Sequence, residues 1–185
     1  MIKFVATAAM AAVLLAPLGV GAQTPLPLPG SLPPYGPGIG LDVARKMLDA
    51  AVAEAGKNGW QEAIAIVDSG GRLVAFFRMD NTQLASIEIA LGKAVTANNV
   101  KRPTKALQDS VAPGSSTPRM QGLPGITPVD GGLPIVIDGK VVGAIGAAGA
   151  AANQDAEVAA AGLSAATAKR RLFRSTPSRD NHGSC

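Results

Sequence analysis

Two tight turns limit what this chain can fold into. Leu133 to Ile137 and Lys140 to Ile145 are β-branched runs separated only by Asp138-Gly139. An Asp-Gly link between such runs signals a type I′ hairpin. Glu62 to Val67 and Arg72 to Arg78 form a second pair, joined through Asp68-Ser69-Gly70-Gly71, where the glycines accept the positive φ that a hairpin bend needs. Strands connected this closely run antiparallel, so a doubly wound parallel sheet is disfavoured.

Helices fill the intervals. Leu41 to Lys57 places Leu41, Ala44, Leu48, Ala51, Val52 and Ala55 on one face, at the spacing of an amphipathic helix, and Asn58-Gly59 supplies its stop. Gln83 to Asn98 reads as a second helix, with Leu84, Ile87, Ala90 or Leu91, Ala94 and Val95 on its inner face. A short helix over Pro103 to Val111 starts at a proline in first position. Residues 112–131 are a proline-rich loop, and a loop this long in a compact domain is often functional. A last helix is expected over Asn153 to Ala168, with Asn153 as N-cap. Two hairpins with helices between and after them predict a single α+β domain, an antiparallel sheet with helices packed against it.

The segments flanking this domain differ in character. Lys3 precedes an apolar run from Val5 to Ala16, interrupted only by Thr7, and Val20-Gly21-Ala22 follows. That arrangement fits a cleaved signal peptide over residues 1–22, the run being shorter than the roughly 20 apolar residues a membrane span needs. A periplasmic or secreted location follows as an expectation, with no transmembrane segment. Residues 23–40 hold Pro25, Pro27, Pro29, Pro33, Pro34 and Pro37, which predicts an extended arm or linker, because proline disfavours helix at the residue before it. The formal charge of +4 resides in a tail, 169–185, where Lys169, Arg170, Arg171, Arg174 and Arg179 outnumber Asp180. The remainder of the chain balances. A basic face with interleaved aromatics is missing and aromatics make up only 3% of residues, so nucleic acid is not the expected partner.

The candidate chemistry is sparse. The one histidine, His182, and the one cysteine, Cys185, both lie in the tail. A Ser-His-Asp triad, a disulfide within the chain and a zinc site are therefore not expected, and no metal ligands are assigned. Arg78-Met79-Asp80 ends the second strand. Lys93 and Thr96 share a helix face and can bind a carboxylate, and Lys93 or Asp80 can act as general base or acid. Arg119 and Met120 in the long loop are candidates for a lid. Gly143, Gly146 and Gly149 recur just before the last helix. They read either as a backbone cradle for an anion near a helix N-terminus or as close packing of strand on helix.

The sequence resembles a known family on a set of short segments in fixed order. These are Ile64-Ala65-Ile66-Val67-Asp68 with Gly71, Arg78-Met79-Asp80, Ala90 with Lys93-Ala94 and Thr96-Ala97, and Pro103-Thr104. Gly131-Gly132-Leu133-Pro134-Ile135, Gly143-Ala144-Ile145-Gly146, Gly149, Asp155 and Ala159 to Gly162 complete the set. They span about Leu41 to Ala166 and are similar to the haem-binding, "haem-degrading" family that includes GlcG-like and HbpS-like proteins. The resemblance implies a profilin-like sheet sandwiched by helices, a homo-oligomer, and haem as a cofactor or ligand in haem handling or redox sensing. It also implies basic residues such as Arg78, Lys93 or Arg119 facing propionates. Haem iron is usually held by His, Cys, Met or Tyr, and between Leu41 and Ala166 this sequence has only Met47, Met79 and Met120 of those types; Tyr35 lies in the arm. Two other readings stay open: a metal-independent enzyme or binding protein for a small hydroxy or keto acid, and a non-catalytic sensor-partner module.

Overall fold

The structure is a computed structural model and describes residues 32–115 and 122–173, with side chains as far as residue 166. The signal peptide expected over 1–22, the arm as far as residue 31, Arg119 and Met120, and the tail from 174 with His182 and Cys185 lie outside the described residues.

The elements in order are α1 (Leu41–Asn58), β1 (Ala63–Asp68), β2 (Leu73–Arg78), α2 (Ala85–Val100), α3 (Thr104–Ser110), β3 (Gly132–Ile137), β4 (Lys140–Ala148) and α4 (Ala152–Phe173). The strands form one four-stranded sheet in the order β2-β1-β4-β3, antiparallel throughout. The two hairpins are joined by β1 and β4, with Ala63 opposite Ala148 and Asp68 opposite Gly143. Asp138 and Gly139 have φ of 51° and 71°, the two positive values a type I′ bend requires. In the other bend, Asp68 Oδ1 accepts the Gly70 and Arg72 backbone N–H groups at 2.8 and 2.9 Å. The α+β sandwich expected from the sequence is the observed fold.

Strand alternation assigns the layers. Ile64 and Ile66 of β1 point to the face covered by α1 and α4, where Met47, Ala51, Ile135, Ile145 and Val158 complete the larger core. Ala63, Ala65 and Val67 point the other way and meet Ala90, Ala94 and Ala97 of α2. This second layer is built almost wholly from alanine, so the α2 backbone lies very near the sheet. Any Cβ at Gly146 of β4 would collide with the Ala90 carbonyl and the Ala94 N–H.

That proximity decides which residues α2 buries. Its buried residues are Ser86, Ala90, Lys93, Ala94, Thr96, Ala97 and Asn98. Leu84 is 74% exposed and Ile89 39%. Of the face expected from periodicity, Ala90 and Ala94 are buried against the sheet and Leu91 and Val95 pack beside them, whereas Leu84 lies outside, because the gap beside Gly146 admits only small side chains. Strand β4 also continues past Ile145 to Ala148, and α4 begins at Ala152 with Asn153 exposed inside it. Asn153 is therefore not the cap. The first turn is instead closed by Gln154 and Asp155, whose side chains accept the Ala151 and Ala150 N–H groups at 3.1 and 3.0 Å. Helix α4 runs on to Phe173, into the stretch read as tail.

Residues 32–40 lie extended alongside β4 where β1 has ended. The Gly36 N–H donates to Val141 O at 2.8 Å, Val141 N–H to Pro34 O at 2.9 Å and Ile39 N–H to Val142 O at 2.8 Å. Lys101 clamps this strap, with Nζ bonded to Pro33 O at 2.9 Å and 4.0 Å above the Tyr35 ring. Among the described residues no helix is long and apolar enough to cross a membrane.

Candidate functional site

The end of the sheet where β1 begins and β4 finishes gathers the buried charge of the domain. Lys93 projects from the alanine face of α2, one turn after Ala90, and is 1% exposed. Its Nζ donates to Asp155 Oδ2 at 2.6 Å and to the Ala147 carbonyl at 3.0 Å. Asp155 belongs to the first turn of α4, in the opposite helical layer, and is 3% exposed. The pair thus ties the two layers together at the end of β4. Asp155 spends its other oxygen on the Ala150 N–H, and its charge suits the positive N-terminal end of a helix. Gly131 is required here, because a Cβ on it would crowd the Ala147 carbonyl, the Asp155 side chain and Lys93 Nζ.

Glu62 precedes β1 and shares the inward parity of Ile64 and Ile66. It is 0% exposed, and no donor among the described residues meets either carboxyl oxygen; its side-chain partner is the Asp155 carboxylate, to which only the protonated acid can donate. Its backbone carbonyl accepts Met79 N–H at 2.9 Å and Thr82 Oγ1–H at 3.2 Å, which holds the residue in place. Burial, and then the Asp155 carboxylate, push the Glu62 carboxyl from 4.5 up to about 8, against the opposing pull of Lys93. Glu62 is consequently un-ionised at neutral pH and leaves Lys93 and Asp155 as a neutral pair.

Above this floor lies a cleft of about 170 Å³, lined by Lys93 and Asp155 with Gln83, Ser86, Ile89, Val129 and the Ala148–Ala150 backbone. The floor is polar and the rim carries two half-exposed aliphatics, Ile89 and Val129. The loop contributing Val129 is fastened to α2 by Thr96, whose Oγ1 accepts the Thr127 N–H at 2.8 Å and lies 3.5 Å from Gly125 O.

Of the candidates read from sequence, Lys93 and Gly149 line this cleft. Thr96 does not line it and bonds the loop instead. Gly146 is a packing position under α2 and not part of a cradle. Arg78 and Asp80 are exposed at the end of β2, and Met79 packs against the larger core; none of the three lines the cleft. Glu62 and the pairing role of Asp155 escaped the sequence reading. The parity of Glu62 with Ile64 and Ile66 was the available signal for the first. No local pattern announces the second. Among the described residues no group of three or more His, Cys, Asp or Glu is placed to hold a metal ion.

Comparison with known proteins agrees with this architecture. Residues 39–164 match the family described as haem degrading protein HbpS-like. The chain is 38% identical to protein GlcG of Escherichia coli over 108 residues, which is 58% of this chain and 79% of that protein. It superposes on the crystal structure of HbpS with a TM-score of 0.65 and 33% identity, covering 70% of this chain and 91% of that one. It also superposes on a structure described as a PduOC:heme complex, with a TM-score of 0.63 and 29% identity, covering 69% of this chain and 94% of the other.

Proposed function

The chain belongs to the HbpS-like haem degrading protein family, and from that premise we propose that it is an exported, homo-oligomeric haem-binding protein of haem handling or redox sensing. The observation that carries the haem reading is the likeness, over 94% of its length, to a relative solved as a haem complex. Export is supported by the apolar run after Lys3 and the small residues ending at Ala22. The described cleft itself does not fit haem. Its 170 Å³ falls below the roughly 300–1,000 Å³ of pockets that enclose drug-sized ligands, and its lining offers no His, Cys, Met or Tyr. Met47 is sealed in the core and Tyr35 directs its hydroxyl to Asn98 O at 3.0 Å. A haem carried by this chain sits outside that cleft. Titration with hemin is expected to give a shifted Soret band with a stoichiometric endpoint, and a titration without either overturns the reading.

A second reading is favoured by the cleft. A cavity of roughly 150 Å³ holds a benzene molecule, so this volume suits a ligand of about six heavy atoms. The polar floor offers a Lys93 N–H and the Gln83 and Ser86 side chains to a carbonyl, hydroxyl or carboxyl group. A small hydroxy or oxo acid meets both requirements. Thermal-shift screening with glycolate, lactate, glyoxylate and pyruvate is expected to stabilise the parent protein and leave a Lys93→Arg variant unshifted. Equal shifts in the two proteins reject the site.

A further inference from the structure

The cleft floor presents a primary amine held out of bulk water next to a single ionised carboxylate. An ammonium has three N–H groups. In Lys93 one goes to Asp155 Oδ2 at 2.6 Å and one to Ala147 O at 3.0 Å, and the third is uncommitted among the described residues. Lys93 lines the cleft while only 1% exposed. A lysine amine that meets a carbonyl ligand inside a cleft is placed to form a Schiff base with it. The neighbouring carboxylate is close enough to exchange a proton directly, within the 2.6–3.2 Å that proton transfer demands. The other described lysines that are exposed, Lys46, Lys57, Lys105 and Lys140, have no such enclosure.

We propose that Lys93 captures small aldehydes or 2-oxo acids in this cleft as an imine, with Asp155 as the proton shuttle. The proposal rests on the small-ligand reading of the cleft. Asp155 Oδ2 takes a proton from the ammonium, and the freed nitrogen lone pair attacks the carbonyl carbon. The C–N bond forms as the carbonyl π bond opens, and a proton passes from nitrogen to oxygen, giving a carbinolamine. Asp155 returns its proton to the carbinolamine hydroxyl, which departs as water while the C=N bond closes. The sum is ammonium plus oxo compound giving protonated imine plus water. Asp155 is regenerated, nothing is oxidised or reduced, and the positive charge stays opposite the carboxylate. The size of the cleft restricts the partner to a few heavy atoms beyond the carbonyl.

The experiment treats the full chain with glyoxylate in the presence of cyanoborohydride, which reduces an imine to a stable secondary amine, and maps the adduct by peptide mass spectrometry. Glycolate, which has the same size but no aldehyde group, serves as the binding control in calorimetry. Adduct on Lys93 at least ten-fold above that on Lys46, Lys57, Lys105 or Lys140, and its loss in Lys93→Arg, is the expected result. Lys93→Arg keeps a cation opposite Asp155 but cannot form the imine; the site ratio in the parent protein stands as evidence even if that variant does not fold. Binding of glyoxylate and glycolate with no adduct on Lys93 overturns imine capture and leaves the small-ligand reading intact. Neither binding nor adduct overturns both.

Discussion

A glutamate at the start of an apolar strand would ordinarily be placed at the wet end of that strand. Glu62 instead continues the inward row of Ile64 and Ile66, fully buried, and the consequence is a pH dependence whose sign can be worked out. Its folded value of about 8 exceeds the 4.5 of the exposed group. Between those values the unfolded chain has released a proton that the folded chain keeps, so stability falls as pH rises from 4.5 to 8 and then levels. The slope approaches 1.4 kcal/mol per pH unit. Melting temperatures measured from pH 5 to 9 are expected to decline for the parent and to stay nearly flat for Glu62→Gln. The Lys93–Asp155 pair behaves differently. Removing one partner leaves a buried charge uncompensated, at a cost of about 3–5 kcal/mol, whereas replacing both with apolar residues costs far less. Chemical denaturation of Lys93→Met, Asp155→Leu and the double variant is expected to show the double variant more stable than either single one. Lys93 was visible in the sequence as a candidate because it shares a helix face with Thr96. Its partner was not, because 62 residues separate the pair and no spacing rule reaches that far.

At the scale of elements, what sequence disclosed depended on how local the determining physics was. Both hairpins were readable, because a turn is specified by two to four residues, and helix α1 was readable from its repeat and its Gly59 stop, where φ is 72°. Helix α2 was found with Ala90 and Ala94 on its inner face, but Leu84 was placed there too and is exposed. That face is decided by Gly146, which lies in a strand more than fifty positions along the chain and lets the helix approach closely. The prediction at this scale follows from the same contact. Gly146→Val forces β4 and α2 apart, and overpacking of this kind costs typically 1–3 kcal/mol and occasionally more. Thermal melting is expected to show a clear loss for Gly146→Val. The exposed Leu84→Ala, just before the same helix, is expected to lie within about 0.5 kcal/mol of the parent.

For the molecule as a whole, the sheet is longer than its four strands. Residues 32–40 replace β1 alongside the start of β4 and contribute three backbone hydrogen bonds there, each worth roughly 0.5–1.5 kcal/mol net, together with the buried Ile39. A chain beginning at Leu41 is expected to unfold at lower denaturant concentration than one beginning at Ser31, by the equivalent of about 2–4 kcal/mol. Equal midpoints would show the strap to be dispensable. From sequence this segment read only as a proline-rich arm. Proline reports that a chain is extended, but not what it lies against.

The seam between α2 and the sheet carries a lesson about tolerance to inheritance. Where a helix rests on backbone atoms, any enlargement at Ala90, Ala94 or Ala97 is a defect, while outward positions such as Ala85 and Glu88 are free to change with whatever surrounds the molecule. Lineages of this fold should therefore diversify on the outside of that helix and stay frozen underneath it, so that new surroundings can be met without disturbing the buried lysine.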